Sequence, residues 1–387
     1  MSNDFGFDRV ELAELRRRGG QKWRRYGPDV LAAWVADMDF APLPAVREAI
    51  VTMVDRGDLG YPDWPTGSPL REALSERMAA RYGWQVEPGA VRELCDIIQG
   101  VQLALELGTA VGDAVALHTP TYPPFLSSLR AMRRRIVGIP MEQRAGAWRF
   151  DVERAASELE RAGCRALLLV HPHNPTGKVF ARDELEALAE IAERLDLLVI
   201  SDEVHAELTY PGAHHVPFAS LGEAQAARTV TLTSATKAFN LAGIRCALAH
   251  IGPPALRERR DAAPFALYGT PSVLGVAATL AAWRGGDAWL AAVIAHLAAN
   301  RDHLAARLSA ETALELVPPQ ATYLAWVDAR PLQLGAEPAD LALERGRVAL
   351  SPGVDFGPQG RGFFRLNFAT SRKILDAVID AVVRSLA

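Results

Sequence analysis

Hydrophobic residues in the middle of the chain follow two alternating patterns. Short apolar runs, which are typical of strands buried on both faces, lie at residues 114–118, 166–170, 197–200 and 229–233. Between them, apolar residues spaced three or four positions apart predict helices at residues 103–107, 152–162 and 183–195. This alternation predicts an α/β fold with a large, mostly parallel sheet covered by helices.

The last third of the chain has a different pattern. An alanine-rich stretch predicts one long helix over residues 282–308, followed by strands at 322–327, 348–350 and 363–368 and a closing helix at 374–386. This pattern predicts a smaller α+β domain. We therefore expect an N-terminal arm (1–45) that packs on the small domain, a large domain (46–280) and the small C-terminal domain (281–387).

Charge and cysteine content narrow the possible functions. The 387 residues include 42 Lys+Arg and 46 Asp+Glu, for a net charge of −4, which argues against a global basic surface for nucleic acid or membranes. The 3 cysteines, Cys95, Cys164 and Cys246, are widely spaced and favour reduced thiols in the cytoplasm over a disulfide framework. No apolar run approaches the length of a transmembrane helix.

Polar residues of the types used in catalysis and cofactor binding directly follow the predicted strands. In open parallel sheets, ligands bind beyond the carboxyl ends of the strands, so side chains at these positions should converge on one edge. They comprise an aromatic ring, an amide, an acid, an imidazole, a hydroxyl, an amine and a guanidinium: Tyr122, Asn174, Asp202, His205, Ser234, Lys237 and Arg245.

These residue types suit the cofactor pyridoxal 5'-phosphate. A lysine forms a Schiff base with its aldehyde, and an acid keeps the pyridine nitrogen protonated. An amide can bond the ring hydroxyl, and an aromatic ring can stack on the cofactor. The phosphate requires hydroxyls, an arginine and a helix N-terminus, for which we expect the backbone of Gly100, Val101 and Gln102.

Several short sequence strings, in a fixed order, carry a family resemblance. They are WVADMDF at 34–40, GYP at 60–62, YPPF at 122–125, HNP at 173–175, DEVH at 202–205, KAFNLAG at 237–243 and RLNFA at 365–369. With them, the chain resembles the fold-type I pyridoxal-phosphate enzymes (the class I/II aminotransferase superfamily) along essentially its whole length. Within that superfamily it is similar to the MalY/PatB group of cystathionine β-lyases, or C–S lyases.

The resemblance implies a role for each matching residue. Lys237 holds the cofactor and removes the Cα proton, Asp202 pairs with the pyridine nitrogen, and Asn174 bonds the ring hydroxyl. Tyr122 covers the ring, and Arg365 clamps the substrate carboxylate. The remaining implied residues are the phosphate ligands Ser234, Arg245, Gly100, Val101 and Gln102, a Tyr61 contributed by the partner subunit, His205 beside the cofactor, and Ala36 beside the substrate.

The implied reaction is α,β-elimination of L-cystathionine or another S-substituted L-cysteine to pyruvate, ammonia and a thiol, in a cytoplasmic homodimer. Two alternatives stay open: an aminotransferase, and a regulatory protein that binds the cofactor. His205 favours the lyase group, because many aminotransferases carry tyrosine there, whereas Arg245 follows the aminotransferase pattern. His171 and His173 lack the acid–histidine helix pattern of a metal hydrolase.

Overall fold

The computed structural model describes residues 4–264 and 267–386. Its α-helices are α1 Leu12–Leu15, α2 Gln21–Arg24, α3 Pro44–Arg56, α4 Leu70–Tyr82, α5 Ile97–Gly108, α6 Pro123–Ala131, α7 Val152–Ala162, α8 Arg182–Arg194, α9 Glu223–Arg228, α10 Pro254–Asp261, α11 Val273–Gly285, α12 Asp287–Glu311, α13 Pro338–Gly346 and α14 Arg372–Leu386. Its strands are β1 Leu31–Ala32, β2 Val91–Leu94, β3 Ala114–Thr119, β4 Arg135–Pro140, β5 Glu142–Arg144, β6 Ala147–Arg149, β7 Cys164–Val170, β8 Leu198–Asp202, β9 Thr229–Thr233, β10 Ala247–Ile251, β11 Glu315–Leu316, β12 Leu324–Asp328, β13 Val348–Ala349, β14 Ser351–Pro352 and β15 Phe363–Asn367.

A 7-stranded sheet in the order β2-β10-β9-β8-β7-β3-β4 forms the centre of the molecule. The strands from β9 to β4 pair in parallel, and β10 runs antiparallel to both β9 and β2. Every residue of β3, β9 and β10 is buried. The mostly parallel, doubly covered sheet predicted from the apolar runs is therefore confirmed.

Alternate residues of the central strands enter two different apolar cores. Leu167 and Leu169 of β7 pack with the α7 and α8 side of the sheet, where Leu159 and Leu188 lie. The intervening Leu168 belongs to the core that contains α5 and α6. Because successive side chains of a strand point to opposite faces, a strand that is apolar throughout is covered by helices on both sides.

A second, smaller sheet is formed by the C-terminal part of the chain. It is 4-stranded and antiparallel, in the order β11-β12-β15-β14. The N-terminal segment reaches the same region, because β1 pairs in parallel with β13. The domain limits at residues 45 and 280 stay predictions. Among the described residues, no helix is both long enough and apolar enough to cross a lipid bilayer.

The single long helix predicted over residues 282–308 is in fact two helices, α11 and α12, separated at Gly286. A Cβ added at Gly286 would lie 2.3 Å from the carbonyl oxygen of Ala282 and 2.4 Å from the ring of Phe239. Glycine is therefore required by the close approach of the chain at this bend. The periodicity of apolar residues continues across it, which explains the incorrect prediction.

Candidate active site

A cavity of about 200 Å³ opens at the carboxyl ends of β7, β8 and β9. Its lining includes most of the residues singled out in the sequence, which come from widely separated parts of the chain: Ala36, Tyr122, Asn174, Asp202, His205, Ser234, Lys237 and Arg245. Parallel strands end at a common edge, so residues that directly follow them converge there, as the sequence predicts.

Lys237 follows β9, and its amine points toward the N-terminal segment. Its Nζ donates a hydrogen bond to the carbonyl oxygen of Ala36 at 2.8 Å, and the hydroxyl of Tyr323 donates to the same oxygen at 2.8 Å. Burial lowers the pKa of Lys237, partly opposed by the carboxylates of Asp37 and Asp202. A lowered pKa makes the unprotonated, nucleophilic amine more accessible near neutral pH.

Asp202 is the last residue of β8 and lies fully inside the protein. Burial raises the pKa of its carboxyl group to about 7, although the N–H of Val204, 3.1 Å from Oδ1, and the charge of Lys237 act in the opposite direction. Among the described residues, none forms an ion pair with this carboxylate. A protonated pyridine nitrogen supplies the cation that such a group lacks, so this site fits the predicted cofactor.

Arg365, in the middle of β15, is held by three hydrogen bonds. Nη1 donates to Oδ1 of Asn174 at 3.0 Å, and Nη2 donates to the carbonyl of Trp34 at 3.1 Å and the hydroxyl of Ser351 at 3.2 Å. Burial lowers the pKa of Arg365 to about 10, so the guanidinium stays charged at neutral pH. The three bonds fix the orientation of the guanidinium; one Nη1 hydrogen is unused, and the buried Nε–H has no partner among the described residues.

Arg365 does not itself line the cavity and is connected to it through Asn174. Its Oδ1 accepts from Arg365, which leaves the amide nitrogen as the donor that can reach a cofactor hydroxyl. Ser351 and the Trp34 carbonyl were not singled out in the sequence as supports of Arg365. They approach it only through the pairing of β14 with β15 and the packing of the N-terminal segment.

Tyr122 and His205 complete the walls of the cavity. Burial raises the pKa of the Tyr122 hydroxyl, which therefore stays protonated, and its ring packs edge-on against Phe125 with a centroid distance of 5.4 Å. Burial lowers the pKa of His205 to about 3, with a further contribution from the charges of Lys237 and Arg365. His205 is therefore a neutral imidazole in the site.

The phosphate end of the site differs from the sequence prediction. We expected Gly100, Val101 and Gln102 to open a helix, but α5 begins at Ile97, so these residues lie one turn inside it. The N–H of Gly100 bonds to the carbonyl of Asp96. The free N–H groups of the first helical turn belong to Ile97 and Ile98, which do line the cavity. The Asp96 cap was the signal in the sequence that marked this start.

Packing contacts describe where the structure places these three residues, whose role at the phosphate stays a prediction. A Cβ on Gly100 would lie 2.7 Å from Leu232 of β9, so glycine permits the close approach of α5 to the sheet. Val101 is fully buried in the core below α5. The side-chain amide of Gln102 donates to Ser128 on α6 at 3.0 Å.

Two other predicted phosphate ligands line the cavity but already have partners. The hydroxyl of Ser234 lies 2.6 Å from the carbonyl oxygen of Cys246 and accepts from the N–H of Thr236 at 3.1 Å. The guanidinium of Arg245 is ion-paired with the carboxylate of Asp96. Thr236, which we did not single out as a ligand, also lines this end of the cavity.

Tyr61 does not lie in the cavity of its own chain. Its side chain is 104% exposed, far more than any other large apolar or aromatic residue described. The structure of one chain therefore leaves the expected contribution of Tyr61 to a partner's site as a prediction.

A larger cavity, of about 280 Å³, lies outside this site between Trp148, Lys178 and Gln320. Lys178 is ion-paired with Glu184 at 2.8 Å and has no free amine to offer. The larger cavity also has a lysine, acids and an amide, but its lysine is held by Glu184, whereas Lys237 in the smaller cavity has no carboxylate partner among the described residues. The donor set of the smaller cavity fits pyridoxal phosphate: Lys237 for the aldehyde, Asp202 for the ring nitrogen, Asn174 for the ring hydroxyl, and the first turn of α5 for the phosphate.

Comparisons with known proteins identify the family of the chain. Residues 34–382 match the family model described as aminotransferase class I and II. The chain is 35% identical to the cystathionine beta-lyase of Corynebacterium glutamicum over 373 residues, covering 95% of this chain and 96% of the relative. It is 34% identical to the cystathionine beta-lyase PatB of Bacillus subtilis over 396 residues, covering 99% of this chain and 100% of the relative.

Solved structures show the same fold. The pyridoxal-phosphate-bound C–S lyase of Staphylococcus hominis superimposes with a TM-score of 0.91 at 28% identity, covering 98% of each chain. The chain belongs to the aminotransferase class I and II family. Within that family, the relatives named here are the lyases that cleave carbon–sulfur bonds, which the sequence resemblance also indicated.

Proposed function

We propose that the protein is a pyridoxal-phosphate-dependent C–S lyase, which converts L-cystathionine or other S-substituted L-cysteines to pyruvate, ammonia and a thiol. The observation that carries this proposal is the cavity in which Lys237, Asp202 and Asn174 converge, with Arg365 hydrogen-bonded to Asn174. The relation of the chain to proteins named cystathionine beta-lyase, over nearly its whole length, also supports the proposal.

Arg365 binds the substrate in this proposal. Its charged guanidinium pairs with the α-carboxylate, while its bonds to Asn174, Trp34 and Ser351 hold the guanidinium in place. Because this arginine is buried, little water competes for the carboxylate, which strengthens a charged hydrogen bond. The amino acid is thereby oriented with its Cα hydrogen toward Lys237.

Lys237 carries out the proton transfer. When bound, the cofactor supplies an electron-withdrawing ring that acidifies the Cα hydrogen of the attached amino acid. The lysine Nζ, whose pKa burial lowers, takes that hydrogen as a proton. General base catalysis of this kind typically contributes about 10²–10⁴-fold in rate.

Asp202 and the leaving group complete the reaction. Asp202 holds a proton on the pyridine nitrogen through a charged hydrogen bond. As Lys237 takes the Cα proton, the Cα–H electron pair forms a Cα–Cβ double bond, and the Cβ–S pair leaves on sulfur as a thiolate. The thiolate takes up one proton, and one water hydrolyses the remaining fragment to pyruvate and ammonium, so atoms and charge balance.

The protein is also proposed to act as a two-fold homodimer in the cytoplasm. Tyr61 is fully exposed and Leu59 and Val54 nearby are more than half exposed, an apolar surface that suits a second copy. In a dimer of this kind each Tyr61 would reach the partner's phosphate. The free thiols of Cys95, Cys164 and Cys246 support a reducing compartment.

The test is incubation of the cofactor-loaded protein with L-cystathionine and with S-ethyl-L-cysteine, without a keto acid. We expect equal amounts of pyruvate, ammonia and thiol over many turnovers. Reaction that stops after one equivalent per site, and resumes when a keto acid is added, would show an aminotransferase instead. Cofactor binding without either reaction would support a regulatory role.

A further inference from the structure

A carboxylate lies at the phosphate end of the candidate site. Asp96 directly precedes α5 and caps it: Oδ1 accepts from the N–H of Gln99 at 2.7 Å. Its other oxygen, Oδ2, forms an ion pair with Nη2 of Arg245. Both residues line the cavity, beside Ile97 and Ile98, whose N–H groups have no partner within the described part of the chain.

The groups that Asp96 occupies are the groups that a phosphate requires. A phosphate at a helix N-terminus accepts from the N–H groups of the first turn and from an arginine. One of these N–H groups, that of Gln99, and the only arginine that lines the described cavity already donate to Asp96. The hydroxyl of Ser234 is also held by the Cys246 carbonyl.

We propose that Asp96 is an internal anion that competes with the cofactor phosphate for these donors and weakens phosphate binding. The N-terminus of a helix carries roughly half a positive charge, and Arg245 adds a full one. Asp96 cancels that full charge where a phosphate dianion must bind. The inference concerns the cofactor site alone, and it does not depend on which reaction the enzyme catalyses.

Weak phosphate binding has a consequence for the cofactor. A cofactor linked to Lys237 is retained by the covalent bond, whereas pyridoxamine 5'-phosphate has no aldehyde and is retained mainly by its phosphate. The aminated form therefore escapes readily from this site. An enzyme that carries out elimination does not need to retain it, but an aminotransferase does in every cycle.

The experiment measures binding of pyridoxamine 5'-phosphate to the apoenzyme by titration calorimetry. Asp96→Asn keeps a capping side chain and removes the charge. We expect it to bind about ten-fold more tightly than the unchanged protein at low salt, since one like charge close to the phosphate is removed. Arg245→Gln should bind more weakly, and high salt should reduce both differences.

Two controls isolate the phosphate. Asp151→Asn changes another aspartate cap, on α7, whose side chain accepts from the N–H of Arg154 at 2.9 Å and lies outside the cavity. This variant should bind pyridoxamine 5'-phosphate with the affinity of the unchanged protein. Pyridoxamine without phosphate should bind Asp96→Asn and the unchanged protein equally. Asp96→Asn could instead bind pyridoxamine 5'-phosphate as well as the unchanged protein, which would show that Asp96 has no effect on phosphate binding. Weaker binding would show that Asp96 holds Arg245 in place for the phosphate. Either result would overturn the inference. Because no turnover is measured, failure of the proposed lyase reaction leaves this test valid.

Discussion

Replacement of Arg365 by lysine tests how the substrate is held. The guanidinium is fixed by hydrogen bonds of 3.0–3.2 Å to Asn174, Trp34 and Ser351 and lies 4.9 Å from the ring centre of Phe356. A lysine has one nitrogen and cannot make these bonds and also present two N–H groups to a carboxylate. Burial also lowers the pKa of a lysine, which reduces the charge available at this position.

The expected loss follows from the bonds removed. One hydrogen bond to a charged group contributes about 1.5–3 kcal/mol, which corresponds to about 10–150-fold in kcat/KM. We therefore expect Arg365→Lys to lower kcat/KM for S-ethyl-L-cysteine by about 100-fold, most of it as a higher KM. Thiol release is the direct assay, and Arg361→Lys, at an exposed position near the same strand, is the matched control.

A second substrate separates binding from folding. The primary amide of S-ethyl-L-cysteine lacks the carboxylate, so the unchanged protein should use it poorly. Arg365→Lys should discriminate much less between acid and amide, because the two changes remove the same contact. If the variant kept the full preference for the acid, Arg365 would not bind the carboxylate, and the proposed orientation of the substrate would be wrong.

Four further predictions follow from the same site. Lys237→Ala should abolish turnover and the visible absorption of the lysine-bound cofactor, and retention of full activity would refute its role. The raised pKa of Asp202 means that the folded chain binds more protons than the unfolded chain between pH ~4 and ~7, so the carboxyl group lowers stability as pH rises through that window. The gain in apoenzyme Tm on Asp202→Asn should therefore be larger at pH 8 than at pH 5. An equal gain at both pH values would contradict the buried, unpaired carboxylate. Gly100→Ala should lower the stability of the apoenzyme by about 1–3 kcal/mol through overpacking against Leu232, and an unchanged free energy of unfolding in denaturant would contradict the close approach of α5 to β9. Mixing inactive Lys237→Ala with a weakly active Tyr61→Phe should restore activity in hybrid dimers, and no recovery despite subunit exchange would argue against a shared site.

Much of the fold and of the site was predictable from the sequence. Strands that are apolar at every position identify the parallel sheet, since only a sheet covered on both faces buries all of them. Asn174, Asp202 and Lys237 were predictable as neighbours, because each follows a strand that ends at the same edge. Helix α7, predicted over 152–162, has those bounds in the structure.

The remaining features depend on tertiary contacts. Gly100 suggested a turn at the phosphate, but it lies inside α5 and packs closely on β9, which only the position of Leu232 shows. The cap at Asp96 was a local signal, whereas its pairing with Arg245 joins residues that are 149 positions apart. Ser351 approaches Arg365 through the pairing of β14 with β15, and no local pattern marks it.

The most direct test of the central proposal follows the amino nitrogen of one substrate. S-ethyl-L-cysteine labelled with ¹⁵N is incubated with the cofactor-loaded enzyme and an unlabelled keto acid, and the products are identified by NMR. A C–S lyase releases the label as ammonium, in amounts equal to the ethanethiol formed, whether or not the keto acid is present. Label found in the amino acid derived from the added keto acid, without ethanethiol, would contradict the lyase proposal and show an aminotransferase.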